Sequence, residues 1–208
     1  GRKLQQFAEH QSVTGEMIFA PDGKSLFIST IDSVRQVDIQ TGRVRSSIPY
    51  PSTPDGIQQL CMLSLNAAGD LLASVTDSGI HVFRVADGTQ IRHIAFGDPK
   101  PSYYSGLISP TGLLIATMSV DSSISLWEVN SGQEIAQLKS EFMVPNSIGF
   151  SPDSRFLAAS TADSVVVVDA LNGESRIEYS LDNDHGDDFR SEDTRLNSSH
   201  ITISYAVF

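Results

Sequence analysis

The sequence has a single cysteine, Cys61, among 208 residues. It therefore has no intrachain disulfide, and its fold must be held by packing and hydrogen bonds alone. One thiol fits a reducing compartment, and an intracellular location, cytoplasmic or nuclear, is the expectation. No apolar run approaches the roughly 20 residues of a membrane span, so membrane partners are not expected. Positive charge is scarce: 14 Lys and Arg stand against 25 Asp and Glu, for a net charge of −11. An acidic surface repels polyanions, which argues against nucleic acid as a partner. Part of this acidity is local. Asp182, Asp184, Asp187, Asp188, Glu192 and Asp193 surround one base, Arg190. Helical periodicity is missing too, since no apolar spacing of 3.6 residues lasts three turns.

The motifs of most enzyme classes are equally absent. The five histidines His10, His81, His93, His185 and His200 are scattered, without the spacing of a metal site. There is no Gly-x-Ser-x-Gly elbow, and no glycine-rich loop leads into a helix. Asp182-Asn-Asp-His-Gly-Asp-Asp offers oxygen ligands but departs from the EF-hand order, and reads as a solvated loop. No cofactor or metal is expected, and no catalytic residue is assigned.

What the sequence does contain is a repeat. A turn glycine recurs at Gly1, Gly42, Gly88, Gly132 and Gly173, at spacings of 41, 46, 44 and 41 residues. Each of the last four follows an apolar strand, as in Ser125-Leu-Trp-Glu-Val before Asn130-Ser-Gly. Glycine suits a short hairpin that needs a positive φ. A second turn recurs in step: Ala20-Pro-Asp-Gly, Ser109-Pro-Thr-Gly and Ser151-Pro-Asp-Ser, with Asn66-Ala-Ala-Gly as a looser copy. Pro beside Asp, Thr or Gly is turn chemistry. An apolar strand follows each of these turns, then an aspartate: Asp32, Asp77, Asp121 or Asp163. These four are read as structural, holding a hairpin by hydrogen bonds to its turn. Each unit thus holds four short strands. One such sheet cannot bury both faces, but sheets stacked face to face around an axis can.

These residues resemble the WD40 family. Trp127-Glu128 stands where that family has Trp-Asp, and Val37-Asp38, Phe83-Arg84 and Val168-Asp169 are degenerate copies. The resemblance spans roughly residues 1–181 and implies an all-β propeller. The expected four-stranded blades run over about 15–48, 57–94, 104–138 and 145–179, with partial strands at both ends. It also implies that His10, in Glu9-His10, joins Asp32 in a buried network stapling an outer loop to an inner hairpin. The other repeats lack that histidine, with Pro99 and Glu141 near the equivalent places. Trp127 is expected to pack between blades.

Closed members of the family usually have about seven blades, within the range of propellers generally. Four blades and a stray strand read as an incomplete ring from a larger protein. An open arc exposes sheet faces and is an association hazard. Residues 182–208 form an acidic loop and a doubtful tail. Phe189 to Tyr205 reads either as the remnant of a fifth blade or, from Arg195-Leu-Asn-Ser-Ser-His onward, as non-native sequence.

The connections between blades carry the most individual chemistry. Tyr50, Tyr103, Tyr104, Phe142 and Met143 lie there among prolines, which stiffen a loop and reduce the entropy lost on binding. They are the candidate partner-contact residues, with capping of the sheet ends as the competing role. The function expected is a non-enzymatic scaffold that docks other proteins or peptides. The alternatives are a propeller enzyme, quinoprotein-like oxidoreductase or lactonase-like hydrolase, and a subunit of a ribosome-assembly complex.

Overall fold

Sixteen strands form four antiparallel sheets in the computed structural model, which describes residues 13–30, 32–50, 60–76, 78–96, 103–139, 147–161 and 164–180. Sheet 1 contains β1 (Val13–Phe19), β2 (Ser25–Thr30), β3 (Ser33–Asp38) and β4 (Val44–Pro49). Sheet 2 contains β5 (Leu60–Leu65), β6 (Leu71–Thr76), β7 (Gly79–Arg84) and β8 (Gln90–Ala95). Sheet 3 contains β9 (Tyr103–Ile108), β10 (Leu114–Ser119), β11 (Ser123–Glu128) and β12 (Glu134–Lys139). Sheet 4 contains β13 (Ser147–Phe150), β14 (Phe156–Ser160), β15 (Ser164–Asp169) and β16 (Ser175–Ser180). Every sheet is a meander, each strand pairing with the next in sequence. The described residues include no helix.

Both turn families take the backbone their residues favour. Gly42, Gly88, Gly132 and Gly173 have φ of 69–74° in the β3–β4 type of turn. Gly23, Gly69 and Gly112 have φ of 66–76° in the β1–β2 type, where Ser154 takes the fourth copy at 62°. The hairpin glycine also permits close approach between sheets. A Cβ at Gly88 would lie 3.3 Å from Ile48, and one at Gly173 would lie 2.8 Å from Ala136. Each of these turns therefore rests on the outermost strand of the preceding sheet.

Consecutive sheets pack face to face through three apolar seams. Phe27, Val34 and Ile48 of sheet 1 meet Leu63, Leu72 and Phe83 of sheet 2. Val75, Ile80, Val82 and Ile94 meet Ile108, Ile115 and Val129 across the second seam. Met118, Ile124 and Leu126 meet Leu157 and Val168 across the third. Burying a side chain of this size contributes about 1.5–3 kcal/mol, so the seams dominate the fold's stability. The expected face alternation of the strands is what places these residues together.

Polar ties cross the seams as well. Glu16 Oε2 accepts from the Leu63 N–H at 2.8 Å. The Met62 thioether accepts from Ser105 Oγ at 3.0 Å, and Ser64 Oγ accepts from the Ile108 N–H at 3.0 Å. The Thr111 N–H donates to Ser154 Oγ at 3.0 Å, which gives a use to the serine in that turn. Innermost strand β1 packs on β5, and β5 on β9, so the sheets radiate from one side. The arrangement is an arc of a β-propeller, with the ring left open.

Candidate functional site

The β2–β3 turns and the connections between sheets share one end of the arc, because every sheet is an up-and-down meander. That end holds the candidate partner surface. In sheet 1, Thr30 Oγ1 and Ser33 Oγ each donate to Asp32 Oδ1 at 2.8 Å. These two bonds, with Arg35 adding attraction, hold the Asp32 carboxyl below its ordinary range. The Tyr50 N–H donates to the Asp32 carbonyl at 2.9 Å, tying the start of the connection to the turn. In sheet 3, Asp121 Oδ1 accepts from the Ser123 N–H at 3.1 Å and from Ser123 Oγ at 2.6 Å. In sheet 4 the Ser164 N–H donates to Thr161 Oγ1 at 3.1 Å.

These turns show a feature that the sequence reading passed over. A hydroxyl pair recurs beside the aspartates: Thr30 with Ser33, Thr161 with Ser164, and in sheet 2 Thr76 with Ser78. The signal was present as Thr30-Ile-Asp-Ser, Thr76-Asp-Ser-Gly and Thr161-Ala-Asp-Ser. Serine and threonine bond local backbone readily, so the turn is stapled by hydroxyls as much as by carboxylates. Asp77, Asp163 and His10 lie outside the described residues.

Sheet 2 carries a histidine in this network. His81 is only 1% exposed. Its Nε2 lies 3.1 Å from Ser78 Oγ and 3.3 Å from Thr76 Oγ1, and its Nδ1 lies 3.3 Å from Gln90 Oε1. Its ring stacks on His93, with centroids 4.5 Å apart and planes 5° apart. His81 is thus satisfied by its neighbours, while His93 faces outward. Among the described residues, no group of three or more His, Cys, Asp or Glu is placed to hold a metal ion.

Tyr50 sits differently from a free aromatic. Its ring packs against the first seam, and burial pushes its hydroxyl pKa up. Its hydroxyl lies 3.2 Å from Ser29 Oγ. Phe96 occupies the matching place after sheet 2 and meets Trp127 with ring centroids 6.2 Å apart. An aromatic following the outermost strand therefore covers the end of a seam at two places. The backbone of Tyr103 and Tyr104 opens β9, while their side chains, and the whole of Phe142 and Met143, lie outside the described residues. The structure brings Asp32 and Tyr50 together, and keeps Asp121 and Trp127 on sheet 3.

Trp127 packs against the second seam, between sheets 2 and 3, and donates from Nε1 to Thr117 Oγ1 at 3.0 Å. It is half-buried, whereas its counterparts Val37, Phe83 and Val168 are buried. The best-preserved motif residue is thus the least enclosed of the four copies. An indole keeps its N–H where a partner can be reached, and Thr117 supplies that partner.

Residues 133–168 match the family model described as "WD domain, G-beta repeat". An uncharacterised WD repeat-containing protein of Synechocystis is 28% identical over 157 residues, 74% of this chain and 43% of that protein. Periodic tryptophan protein 2 of Arabidopsis thaliana is 26% identical over 77% of this chain and 17% of its own length. The E3 ubiquitin-protein ligase COP1 of the same plant is 22% identical over 80% of this chain and 24% of its own. The chain thus spans less than half the length of these curated relatives. Among solved structures, the β-propeller domain of Cps50 (Swd1) from Myceliophteria thermophila superposes with a TM-score of 0.66 at 17% identity, covering 83% of this chain and 56% of that one. Kuenenia stuttgartiensis hydrazine synthase gives 0.63 at 20% identity, covering 86% and 53%.

Proposed function

We propose, from the premise that this chain is a partial WD40-repeat β-propeller, that it serves as a non-enzymatic docking platform for other proteins or peptides. The observation that carries this reading is how the polar side chains are used. Asp32, Asp121, Thr30 and His81 are committed to turns, and Glu16, Met62, Ser64 and Ser154 to seams. A catalytic constellation needs a nucleophile, a base and an orienting group held toward substrate. The residues named here are engaged by turns and seams instead. A rigid frame with varied connections at one end suits recognition, and function on such a frame resides in the grafted loops.

The docking surface in this reading is the end bearing the sheet-to-sheet connections, with Tyr103, Tyr104, Phe142 and Met143 as contact residues. Tyr50 contributes less, since its ring is already engaged by the first seam. Other parts of a longer polypeptide contribute to the same platform, and its location is inside the cell. The second reading is a propeller enzyme, which the fold likeness to hydrazine synthase keeps in view. At 20% identity that likeness speaks to architecture alone.

Quantitative affinity capture with the full chain tests the proposal. The expected result is a discrete protein retained by the parent and lost when Tyr103, Tyr104, Phe142 and Met143 are changed to Ala together. Unchanged retention removes this surface. A stoichiometric metal or quinone in the purified protein turns the case toward the enzyme.

A further inference from the structure

The four β3–β4 type turns share one backbone but differ at the residue before the glycine. That residue is Thr41, Asp87, Ser131 or Asn172. In each turn the glycine N–H donates to the carbonyl four residues back: Gly42 to Asp38, Gly88 to Arg84, Gly132 to Glu128 and Gly173 to Asp169, at 2.8–2.9 Å. The fold fixes the glycine of sheet 4. Gly173 has a φ of 70°, and a Cβ there would lie 2.8 Å from Ala136 Cβ of sheet 3. Asn172 before it is exposed, and Asn172-Gly173 is the one Asn-Gly step in the sequence.

Asparagine before glycine is chemically labile. The side-chain amide carbon is an electrophile, and the backbone nitrogen that can attack it belongs to a residue with no side chain to obstruct the approach. Two bonds restrain this in the folded turn. The Gly173 N–H is held by the Asp169 carbonyl at 2.8 Å, and Asn172 Oδ1 accepts from the Glu174 N–H at 2.9 Å. Both bonds lie in an exposed hairpin turn, where local opening costs least.

The other turns show what a carboxylate at this position needs. In sheet 2, Asp87 Oδ1 accepts from the Thr89 N–H at 2.9 Å, the same bond that Asn172 makes with Glu174. Asp87 also accepts from Arg84 Nη1, three residues earlier, at 3.1 Å. The same spacing joins complementary groups in sheets 1 and 3, where Asp38 accepts from Thr41 Oγ1 and Glu128 from Ser131 Oγ. In sheet 4 the residue three earlier is Asp169, only 8% exposed. A carboxylate at position 172 therefore finds a like charge where sheet 2 supplies a guanidinium.

We propose that Asn172 is a site of spontaneous deamidation, and that its product loosens the β15–β16 hairpin. The Gly173 nitrogen bonds to Asn172 Cγ, the bond from Cγ to the amide nitrogen breaks, and ammonia leaves with the proton from Gly173. Water then opens the cyclic imide at either carbonyl, giving aspartate or isoaspartate. Either product adds a negative charge beside Asp169, and isoaspartate also lengthens the main chain within the turn. Thr41 and Ser131 carry no amide to lose. This covalent change to the frame is independent of which surface docks a partner.

Incubation of the full chain at mildly alkaline pH, followed by peptide mapping with mass spectrometry, tests the chemistry. Asn172 is expected to convert before Asn66 and Asn130, and to convert about tenfold or more slowly in the folded chain than in urea. Asn172→Ser, the residue of sheet 3, should abolish conversion of this peptide. Thermal unfolding near neutral pH tests the consequence. Asn172→Asp should melt about 2–4 °C below Asn172→Ser. In an Asp169→Asn background that difference should fall to less than about half. If Asn172→Asp does not fold, aged parent separated by its added charge on anion exchange takes its place. Earlier conversion of Asn66 or Asn130 overturns the site. Equal melting of the Asp and Ser variants, or a difference that Asp169→Asn leaves unchanged, overturns the role of the like charge.

Discussion

Strands β10 and β15 lie inside sheets 3 and 4 with four apolar residues in six each, yet they differ sharply in burial. In β10, Leu114-Ile-Ala-Thr-Met-Ser, every residue is buried, polar ones included. In β15, Ser164 and four successive valines precede an aspartate, yet only Val168 and Asp169 are buried. Burial here follows the number of covered faces rather than the hydrophobicity of the strand. Sheet 3 lies between two others, so Thr117 and Ser119 are enclosed by their neighbours. Sheet 4 meets sheet 3 on one face only among the described residues. A continuous apolar run in a sheet protein signals cover on both faces, and β15 has the composition of a doubly covered strand.

Large-to-small substitutions test this contrast most severely. Ile115→Ala, in β10, is expected to cost about 3–4 kcal/mol, because the cavity it leaves is enclosed on both sides. Val167→Ala, in β15, is expected to cost about 1 kcal/mol, since solvent already reaches the site. Urea unfolding of the two variants measures the difference. Equal losses would show that sheet 4 is covered as fully as sheet 3.

Glycine turns sharpen it further. Gly112→Ala and Gly23→Ala both force alanine into a left-handed backbone, a strain of about 1 kcal/mol. Only Gly112→Ala also pushes a methyl toward Leu71 Cδ1 and Asn66 Nδ2. Its melting temperature should fall by more, by about 2–4 °C beyond that of Gly23→Ala. Identical shifts would mean that Leu71 moves aside freely.

Acid gives the smallest effect, and it probes the exposed edge of sheet 1. Hydrogen bonds from Arg45 and then Thr41 lower the Asp38 pKa to about 2. A depressed carboxyl pKa stabilises the fold above its unfolded value and loses that contribution as pH falls toward the folded value. The loss is therefore expected between about pH 4 and pH 2. Asp38→Asn should flatten the melting profile in that window, lying slightly below the parent near neutrality and meeting it at about pH 2. Sheet 3 carries Glu128 at the same place, where it accepts from Ser131 Oγ at 2.5 Å.

Much of the fold was legible because the relevant signals are local. Turn glycines, Pro-Asp pairs and strand alternation each act within a few residues, so four meanders follow from them directly. The seams were less legible. Glu16 bonding Leu63, or Ser154 bonding Thr111, depends on how one sheet sits against the next. Tyr50 looked like loop chemistry because it follows Pro49, but its ring position is set by the cluster around Phe27 and Leu72. Trp127 drew attention as the lone indole, while the hydroxyl pairs at the turns went unnoticed, because serine and threonine are too common to stand out singly. The partner surface was the least legible part, since connections diverge freely once their ends are anchored.

The ties between innermost strands also give the repeats an address. Sheet 1 reaches sheet 2 with the Glu16 carboxylate, and sheet 2 reaches sheet 3 with the Met62 thioether and the Ser64 hydroxyl. Three different acceptors thus span two seams of one architecture. Repeats that look interchangeable by length and turn are therefore not interchangeable as neighbours. Exchanging sheets 2 and 3 in the gene would keep every hairpin, yet it would face Glu16 with Gly106 and Met62 with a blade it was not shaped for. The order of the blades is written in their seams, so this chain can diverge by point substitution far more easily than by shuffling its repeats.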